Sequence, residues 1–295
     1  STFTAVVLAN KHGLTWETKD GKLGPNYYGS IIKSSTMCLG LVSGENGQEK
    51  VCAPVCDLLP FVNPNDLEID GWDISRANLS ESVKRAKVLD FDLQKKLHPL
   101  MAGMHPRPSV FDPSYLSSTQ EARADNTIPG TLQQQLDQIR SDIRDFKTKK
   151  QLDKVIVMWT ASTEKYMDLN AEVEARTDMP LSAIAQNDRS LISPSMLFAV
   201  ASILEGCIFI NGAPQNTIST CIKTLAEKHN VFVAGDDFKS GQTKVKSALV
   251  EFLIGSGIKP VCISSYNHLG NNDGKNLSSP PQFRSKEISK STVID

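Results

Sequence analysis

Nothing in this 295-residue sequence is long enough and apolar enough to cross a membrane as a helix. Its longest apolar runs, such as AVVLA at 5 to 9, fall far below the roughly 20 residues such a span needs. No charge of one sign dominates: 32 Lys and Arg stand against 33 Asp and Glu, a net charge of -1 and a pI near 6.5. Without a basic excess or a basic tail, no field draws the chain to nucleic acid or to an anionic membrane. The sequence opens on no secretory leader. It holds no Cys-x-x-Cys pair, no internal repeat, no Gly-x-Gly-x-x-Gly and no phosphate loop ending in Gly-Lys-Ser or Gly-Lys-Thr.

The six cysteines, Cys38, Cys52, Cys56, Cys207, Cys221 and Cys262, lie in apolar stretches. They are expected to be free buried thiols, with Cys52 and Cys56 as two core residues rather than half a metal site. His12, His98, His105 and His229 lack ligand spacing, so no zinc site is predicted. A soluble protein of a reducing cytoplasm fits these features.

At 295 residues and 40% apolar composition, two domains and a large core are expected. SPSMLFAVASILEG reads as a helix with Ser193 as N-cap, Pro194 at its first position and Gly206 at its end. CIFINGA reads as a buried strand, and NTISTCIKTLAEKHN places Ile218, Cys221, Ile222 and Leu225 on one helical face. VFVAGDD is a second strand. KVKSALVEFLIGSG then carries Val245, Ala248, Leu249, Phe252 and Leu253 on a stripe expected to face the core, and KPVCISSY follows as another strand. With VIVMWT at the start, strand and helix alternate from about residue 155 to 266, which predicts a parallel sheet covered by helices. Upstream, TLQQQLDQIRSDIRDF, with Leu132, Leu136, Ile139, Ile143 and Phe146 spaced 4, 3, 4, 3, and LSESVKRAKVLDFDLQKKL are amphipathic helix candidates. STFTAVVLANKHG is a helix from Ser1 to Gly13, with no strand before it, while GLTWETKDGKLGPNYYG and GLVSGENGQE read as loops. The stretch from 167 to 192 has weak periodicity.

Ligands of open parallel sheets bind beyond the carboxyl ends of the strands. Polar residues gather at those positions: Asp73 after IDGW, Thr160 to Thr163 after VIVMW, Asn211, Gly212 and Gln215 after CIFI, and Asp236, Asp237, Lys239 and Ser240 after VFVAG. Each cluster alone reads equally as helix caps and turns. Four of them at one edge point to a site. Beyond NNDG at 271 to 274, taken as a turn, FRSKEISK places Lys286 and Lys290 four apart. On a helix they share a face, repel one another, and favour an anion between them. A solvated basic face is the other reading. His268 stands where an acid or base is possible, or a structural hydrogen bond.

At GDDFKSGQTK, SYNHLGNNDG and FRSKEISKS, supported by NYYGS, LLPFVNPNDL, GWDIS, RAKVLDFDLQKKL, ARADNTIPG, LDKVIVMWTAST, ASILEG and NGAPQNT, the sequence resembles the eukaryotic myo-inositol-1-phosphate synthases almost end to end. The resemblance implies an α/β fold: a Rossmann-like NAD-binding domain over residues 1–243, then the start of an α+β catalytic and tetramerisation domain over 244–295. It implies an NAD-dependent isomerase that converts glucose 6-phosphate to inositol 3-phosphate, the first step of inositol biosynthesis and a supplier of phospholipid biosynthesis, in a cytoplasmic homotetramer. The family scheme oxidises the sugar, forms an enolate, closes the ring by an aldol step and reduces the ketone with the same NADH.

By position, Lys286, Lys290, Asp237 and Asp273 match catalytic residues of the family. Asp73 matches the aspartate on the adenosine ribose, and Ser109, Val110, Gln120, Arg123, Thr160, Ala161, Ser162, Gly212, Ala213, Asp237, Ser240, Asn271 and Asn272 fall on cofactor-contacting positions. Three residues depart from the pattern: Ser162 replaces Asn, Lys165 replaces Arg and Ala213 replaces Ser. The last removes a hydrogen bond worth about 0.5 to 1.5 kcal/mol. Residues 170 to 183 lose the family's PGVNDTMENLL. The likeness also implies truncation at both ends, with the family's GGNNG loop falling just before Ser1 and its chain continuing past Asp295. Two other readings stay open: a shortened, non-catalytic homologue that binds NAD or phosphate weakly or joins full-length subunits, and a dehydrogenase that releases NADH.

Overall fold

The structure, a computed structural model, describes residues 1–44, 47–239, 241–264, 266 and 271–292. It divides into two compact units, one of Ser1–Gly71 with Ala77–Pro106, the other of Trp72–Arg76 with Arg107–Asp295.

In the first unit, helix α1 (Thr2–Lys11) is followed by a small hairpin, β1 (Trp16–Thr18) and β2 (Gly21–Leu23), paired Trp16 to Leu23. A short α2 (Ile31–Ser34) leads to a longer antiparallel hairpin, β3 (Thr36–Gly44) and β4 (Gly47–Pro54), and then to α3 (Val55–Leu58). Of the two segments expected to be loops, GLTWETKDGKLGPNYYG holds the short β1/β2 hairpin between loop residues, and GLVSGENGQE is largely strand. A two-stranded ribbon exposed on both faces has no buried side, and so no hydrophobic alternation to read. This also corrects the cysteines: Cys207 and Cys221 are buried, but Cys38, Cys52 and Cys262 are exposed and Cys56 half-buried.

The single amphipathic helix expected from residue 79 is two, α4 (Leu79–Ala86) and α5 (Phe91–Met101). Lys87 ends α4 in the left-handed region (φ 55°), its N–H bonded to the Val83 carbonyl. The turn lets Val83 of α4 and Leu93, Leu97 and Met101 of α5 meet Ala5 and Ala9 of α1 in one core. A straight helix offers one stripe and could not have brought both sets to the same place.

The second unit holds the larger core. Strand β5 (Trp72–Asp73) pairs in parallel with β6 (Arg107–Pro108). After them come α6 (Leu132–Lys149), β7 (Ile156–Trp159), α7 (Ala171–Ala175), α8 (Met179–Ala185), α9 (Pro194–Leu204), β8 (Ile208–Asn211), α10 (Thr220–Lys228) and β9 (Val233–Ala234). Strands β7, β8 and β9 form one parallel sheet in that order. The expected alternation is therefore present up to β9. The 258–264 stretch and Tyr266 are not strand, and Val261 is 96% exposed: among the described residues no neighbouring strand there completes its peptide hydrogen bonds.

Helix α9 is the centre of this unit. Ser193 caps it by accepting from the Met196 N–H, Pro194 opens it, and Gly206 follows its end at φ 67°, where a side chain would be strained. Residues Pro194 to Ile203 are all buried, and the Phe198 ring lies 5.1 Å from that of Trp72 and 5.3 Å from that of Trp159. Helix α6 buries Leu132, Leu136, Ile139 and Ile143, as the spacing predicts. Its Asp142 accepts from Trp72 Nε1 (2.8 Å) and Arg107 Nη1 (3.2 Å), tying β5 and β6 to the helix.

The chain closes on α11 (Gly241–Gly255), α12 (Asn271–Leu277) and α13 (Pro280–Ser291). Two corrections follow. The expected inward stripe of α11 faces outward, with Val245 65%, Leu249 54% and Phe252 64% exposed, while Thr243 and Val250 are buried. On the buried side Thr243 Oγ1 accepts from Lys290 Nζ of α13. NNDG is the first turn of helix α12 rather than a loop turn. Bonds from Asn272 and Asn276 to distant elements hold a helix that Asn, Asp and Gly disfavour locally.

Candidate functional site

The second unit gathers its polar residues at the carboxyl ends of its parallel strands. Asp73 is the last residue of β5, and Ser109 and Val110 follow β6. Asp73 Oδ1 accepts from the Ser75 N–H (3.0 Å), and its backbone carbonyl accepts from Asn126 Nδ2 (3.0 Å). Ser109 and Val110 are buried, with the Ser109 N–H bonded to the Asn126 carbonyl at 3.0 Å. Beyond β7 come Thr160 and Ala161, both exposed, and half-buried Ser162.

Gly212 and Ala213 follow β8. The Gly212 N–H donates to the Trp159 carbonyl across the sheet (2.9 Å). A Cβ at Gly212 would lie 2.3 Å from the Phe238 ring, so the bare backbone belongs to that corner. Asn211, fully buried, shapes this turn. Its side-chain amide donates to the Ala213 carbonyl (3.1 Å), the Gln215 carbonyl (2.9 Å) and Asp236 Oδ1 (2.6 Å). Burial raises the Asp236 carboxyl to about 6, and the Asn211 bond offsets part of that rise.

A second group of candidates meets around Gln120, which is wholly buried. Gln120 Oε1 accepts from Asn272 Nδ2 (2.8 Å) and Arg123 Nη1 (3.3 Å), and the same Asn272 amide reaches Ser162 Oγ (3.2 Å). Four residues from three parts of the sequence thus form one hydrogen-bonded cluster. Asp273 is half-buried on the first turn of α12. Asn271 opens that helix, but its side chain, like Ser240 and His268, lies outside the described residues.

The third group is cationic. Lys286 and Lys290 lie one turn apart on α13, both half-buried. Lys290 Nζ donates to Thr243 Oγ1 (2.6 Å), and Lys246 Nζ to the Lys290 carbonyl (3.2 Å). Lys239 Nζ donates to Asp237 Oδ2 (3.1 Å), Ser289 Oγ (2.6 Å) and the Ser289 carbonyl (3.1 Å), and Ser289 Oγ also donates to Asp237. Burial lowers the pKa of Lys290; the neighbouring charge of Lys286 lowers it further, Asp237 opposes, and Lys239 and Lys246 add to the fall. Lys239 pairs with the Asp237 carboxylate, whose side chain is 5% exposed, while Lys286, Lys239 and Lys246 lie near enough to Lys290 for their charges to act on it. The pair of lysines was readable from its spacing, but Lys246, Thr243 and Ser289 were not, because only the packing of α11 on α13 brings them in.

Beneath these groups lies Glu164, which sequence reading passed over. It is 0% exposed, and its carboxylate accepts from the Ser195 N–H (3.0 Å) and Ser195 Oγ (2.6 Å) at the start of α9. Ser195 Oγ in turn contacts Thr217 Oγ1 (2.8 Å). The Glu164 N–H donates to Gln215 Oε1 (3.2 Å), and its carbonyl accepts from Ser285 Oγ of α13 (2.7 Å). Burial raises its pKa to about 7 against the opposing bonds from Ser195 and Ser193. No periodicity marks such a residue, since its partners lie 31, 51 and 121 positions away. Two clefts of the second unit lie off these groups, one of about 240 Å³ lined in part by Tyr166, Met167 and Val173, another by Phe111, Pro113 and Arg189.

A parallel sheet with helices on it and polar strand ends defines the Rossmann-like nucleotide-binding class. Residues 1–281 match a family model of NAD-binding domains described as Myo-inositol-1-phosphate synthase. Over 295 residues the chain is 58% identical to Inositol-3-phosphate synthase 1-B of Xenopus laevis and 57% identical to Inositol-3-phosphate synthase 1 of Homo sapiens, covering all of this chain but 51% and 52% of those proteins. A crystal structure of inositol-3-phosphate synthase from Caenorhabditis elegans superposes with a TM-score of 0.95 at 51% identity, covering 100% of this chain and 57% of that one. A myo-inositol-1-phosphate synthase-related protein from Thermotoga maritima, at 20% identity and a TM-score of 0.52 over 79% of this chain and 59% of its own, shares the fold. The chain belongs to the myo-inositol-1-phosphate synthase family, and it spans about half the length of the relatives it matches.

Proposed function

We propose that this chain is the nucleotide-binding part, with some of the catalytic residues, of an enzyme that converts D-glucose 6-phosphate to 1D-myo-inositol 3-phosphate with NAD. On this reading residues 1–243 form the NAD-binding domain and 244–295 begin a catalytic and tetramerisation domain. The whole enzyme works as a cytoplasmic homotetramer in inositol and phospholipid biosynthesis. The observation that carries the reading is the gathering of the Lys239, Lys246 and Lys286 charges about Lys290, with Asp237, just past the end of β9, paired to Lys239.

The residues at the strand ends fit a dinucleotide. Asp73 supplies a carboxylate suited to a ribose diol, Gly212 gives the turn after β8 a position that no Cβ could fill against the Phe238 ring, and Gln120, Arg123, Ser162 and Asn272 form a preassembled set of amide, guanidinium and hydroxyl groups. Ser109, Val110, Thr160, Ala161, Ala213, Ser240 and Asn271 complete the proposed contacts, Ser240 and the Asn271 side chain on the strength of family position alone. Bound there, NAD supplies a hydride acceptor that later returns the hydride.

The chain's own groups do the rest. Lys286 and Lys290 hold the phosphate and the oxyanion that develops on enolisation, because ammonium groups gathered with too few counter-charges bind an anion at low reorganisation cost. Lys290 Nζ, its pKa lowered by burial and by Lys286, releases and recovers a proton more readily than a solvated lysine. Asp237, clamped by Lys239 and Ser289, fixes the cluster. Asp273 is the remaining carboxylate proposed at the reacting end.

The test is a chimaera in which this chain replaces the matching segment of the Xenopus laevis relative, assayed with glucose 6-phosphate and NAD. Inositol phosphate without net NADH is the expected product. Accumulating NADH would instead identify a dehydrogenase, and a folded chimaera without turnover would favour the non-catalytic reading.

A further inference from the structure

The exposed thiols of the first unit form a pair. In the β3/β4 hairpin, Cys38 stands directly opposite Cys52 in the antiparallel register, and both are exposed. Residues so placed point to the same face, with Cα atoms about 4.5 to 5.5 Å apart and Cβ atoms about 4.5 to 5.5 Å apart. A disulfide takes Cα separations of about 4.4 to 6.8 Å and Cβ separations of about 3.5 to 4.5 Å. The required movement is small, and the ladder is irregular just there, with a register shift between Cys38 and Gly40. The two thiols already bear on one another. Local crowding raises the Cys52 thiol first, and the charge of Cys38 and a hydrogen bond with it raise it further. The third thiol of this region, Cys56, is engaged with Asp57 Oδ1 at 3.5 Å on α3.

We propose that Cys38 and Cys52 are a redox-active dithiol that closes to an intra-hairpin disulfide by exchange with a low-molecular-weight disulfide. One cysteine thiolate attacks a sulfur of the small disulfide; that S–S bond breaks, a mixed disulfide forms and one small thiolate leaves. The second cysteine, as thiolate, attacks the protein sulfur of the mixed disulfide, and the second small thiolate leaves. The protein dithiol loses two electrons and two protons, and the oxidant becomes two thiols. The bond pins a two-stranded ribbon that buries neither face, a structure of marginal stability in water. Because the reacting species is the thiolate, and the Cys52 thiol is held up, closure accelerates as pH rises.

The experiment equilibrates the whole chain with oxidised and reduced glutathione over a range of ratios at mildly alkaline pH. Thiols are then blocked, intact mass is taken, and peptides are mapped without reduction. Expected are a monomeric chain with two of its six thiols lost, a peptide joining Cys38 to Cys52, and amide exchange across Thr36–Pro54 slowed at least tenfold until dithiothreitol reverses it. Cys56→Ser is expected to leave the bridge intact, and Cys52→Ser to stop at a glutathione adduct on Cys38. Glutathione adducts on both cysteines with no bridge at any ratio, a bridge to Cys56, or disulfide-linked dimers in place of the internal bond would overturn the proposal.

Discussion

The second unit builds two polar clusters on opposite principles. Around Glu164 the carboxyl group is wholly buried and met only by neutral partners, the Ser195 N–H and hydroxyl, in a network with Thr217, Gln215 and Ser285. Around Asp237 a carboxylate faces ammonium groups that outnumber it. Burial without a counter-charge raises the pKa of the first carboxyl to about 7 and turns the cluster inward, a lock between the β7 loop, α9 and α13. Excess positive charge makes the second the anion site of the proposed function. Low dielectric thus serves structure in one place and, on that proposal, recognition in the other.

The largest expected effect comes from emptying the first cluster. Glu164→Ala leaves the Ser195 N–H and hydroxyl without their acceptor inside the core and should cost about 3 kcal/mol of stability in denaturant unfolding; a loss under about 1 kcal/mol would mean the network is dispensable. The pH dependence sharpens the point. Folding raises the Glu164 carboxyl from 4.5 to about 7, so the native state binds the proton more tightly than the unfolded chain. This group's contribution is fully present below pH 4.5 and is lost as pH rises to about 7, a fall of about 3 kcal/mol. Glu164→Gln should remove that descending limb, and parallel profiles for variant and parent would show that Glu164 is not held neutral.

The second cluster should respond in chemistry rather than in stability. In the chimaeric enzyme, Lys286→Ala is expected to lower turnover at least tenfold, about 1.4 kcal/mol; an unchanged rate removes Lys286 from the mechanism. In the chain itself the same substitution should raise the pKa of Lys290, since a repelling charge is gone, and amine labelling at Lys290 should slow accordingly. The smallest effect belongs to the scaffold both clusters share. Ser193→Ala deletes the α9 cap and should cost about 1 kcal/mol in the same unfolding measurement.

Elements with local signals were legible in advance. Ser193, Pro194 and Gly206 mark α9, the 4, 3, 4, 3 spacing marks α6, and β7 to β9 read as short apolar runs between them. Strand-end clustering brought out Asp73, Ser162, Gly212 and Asp237, and helical spacing brought out Lys286 and Lys290, all of which the structure places at the strand ends or beside them. The β3/β4 hairpin and the outward stripe of α11 were misread, because an exposed ribbon and a helix bound through Thr243 and Lys246 do not obey the rule that apolar faces turn inward.

Periodicity, caps and turn residues act over a few positions, and those short-range forces already encode the helices, the parallel strands and the edge where polar residues collect. Which of those residues touch is a different matter. Glu164 meets Ser285 across 121 positions and Asn272 meets Gln120 across 152. Such bonds form only once the core around α9 has closed and excluded water, because burial is what gives an unpaired polar group its cost and a matched one its direction.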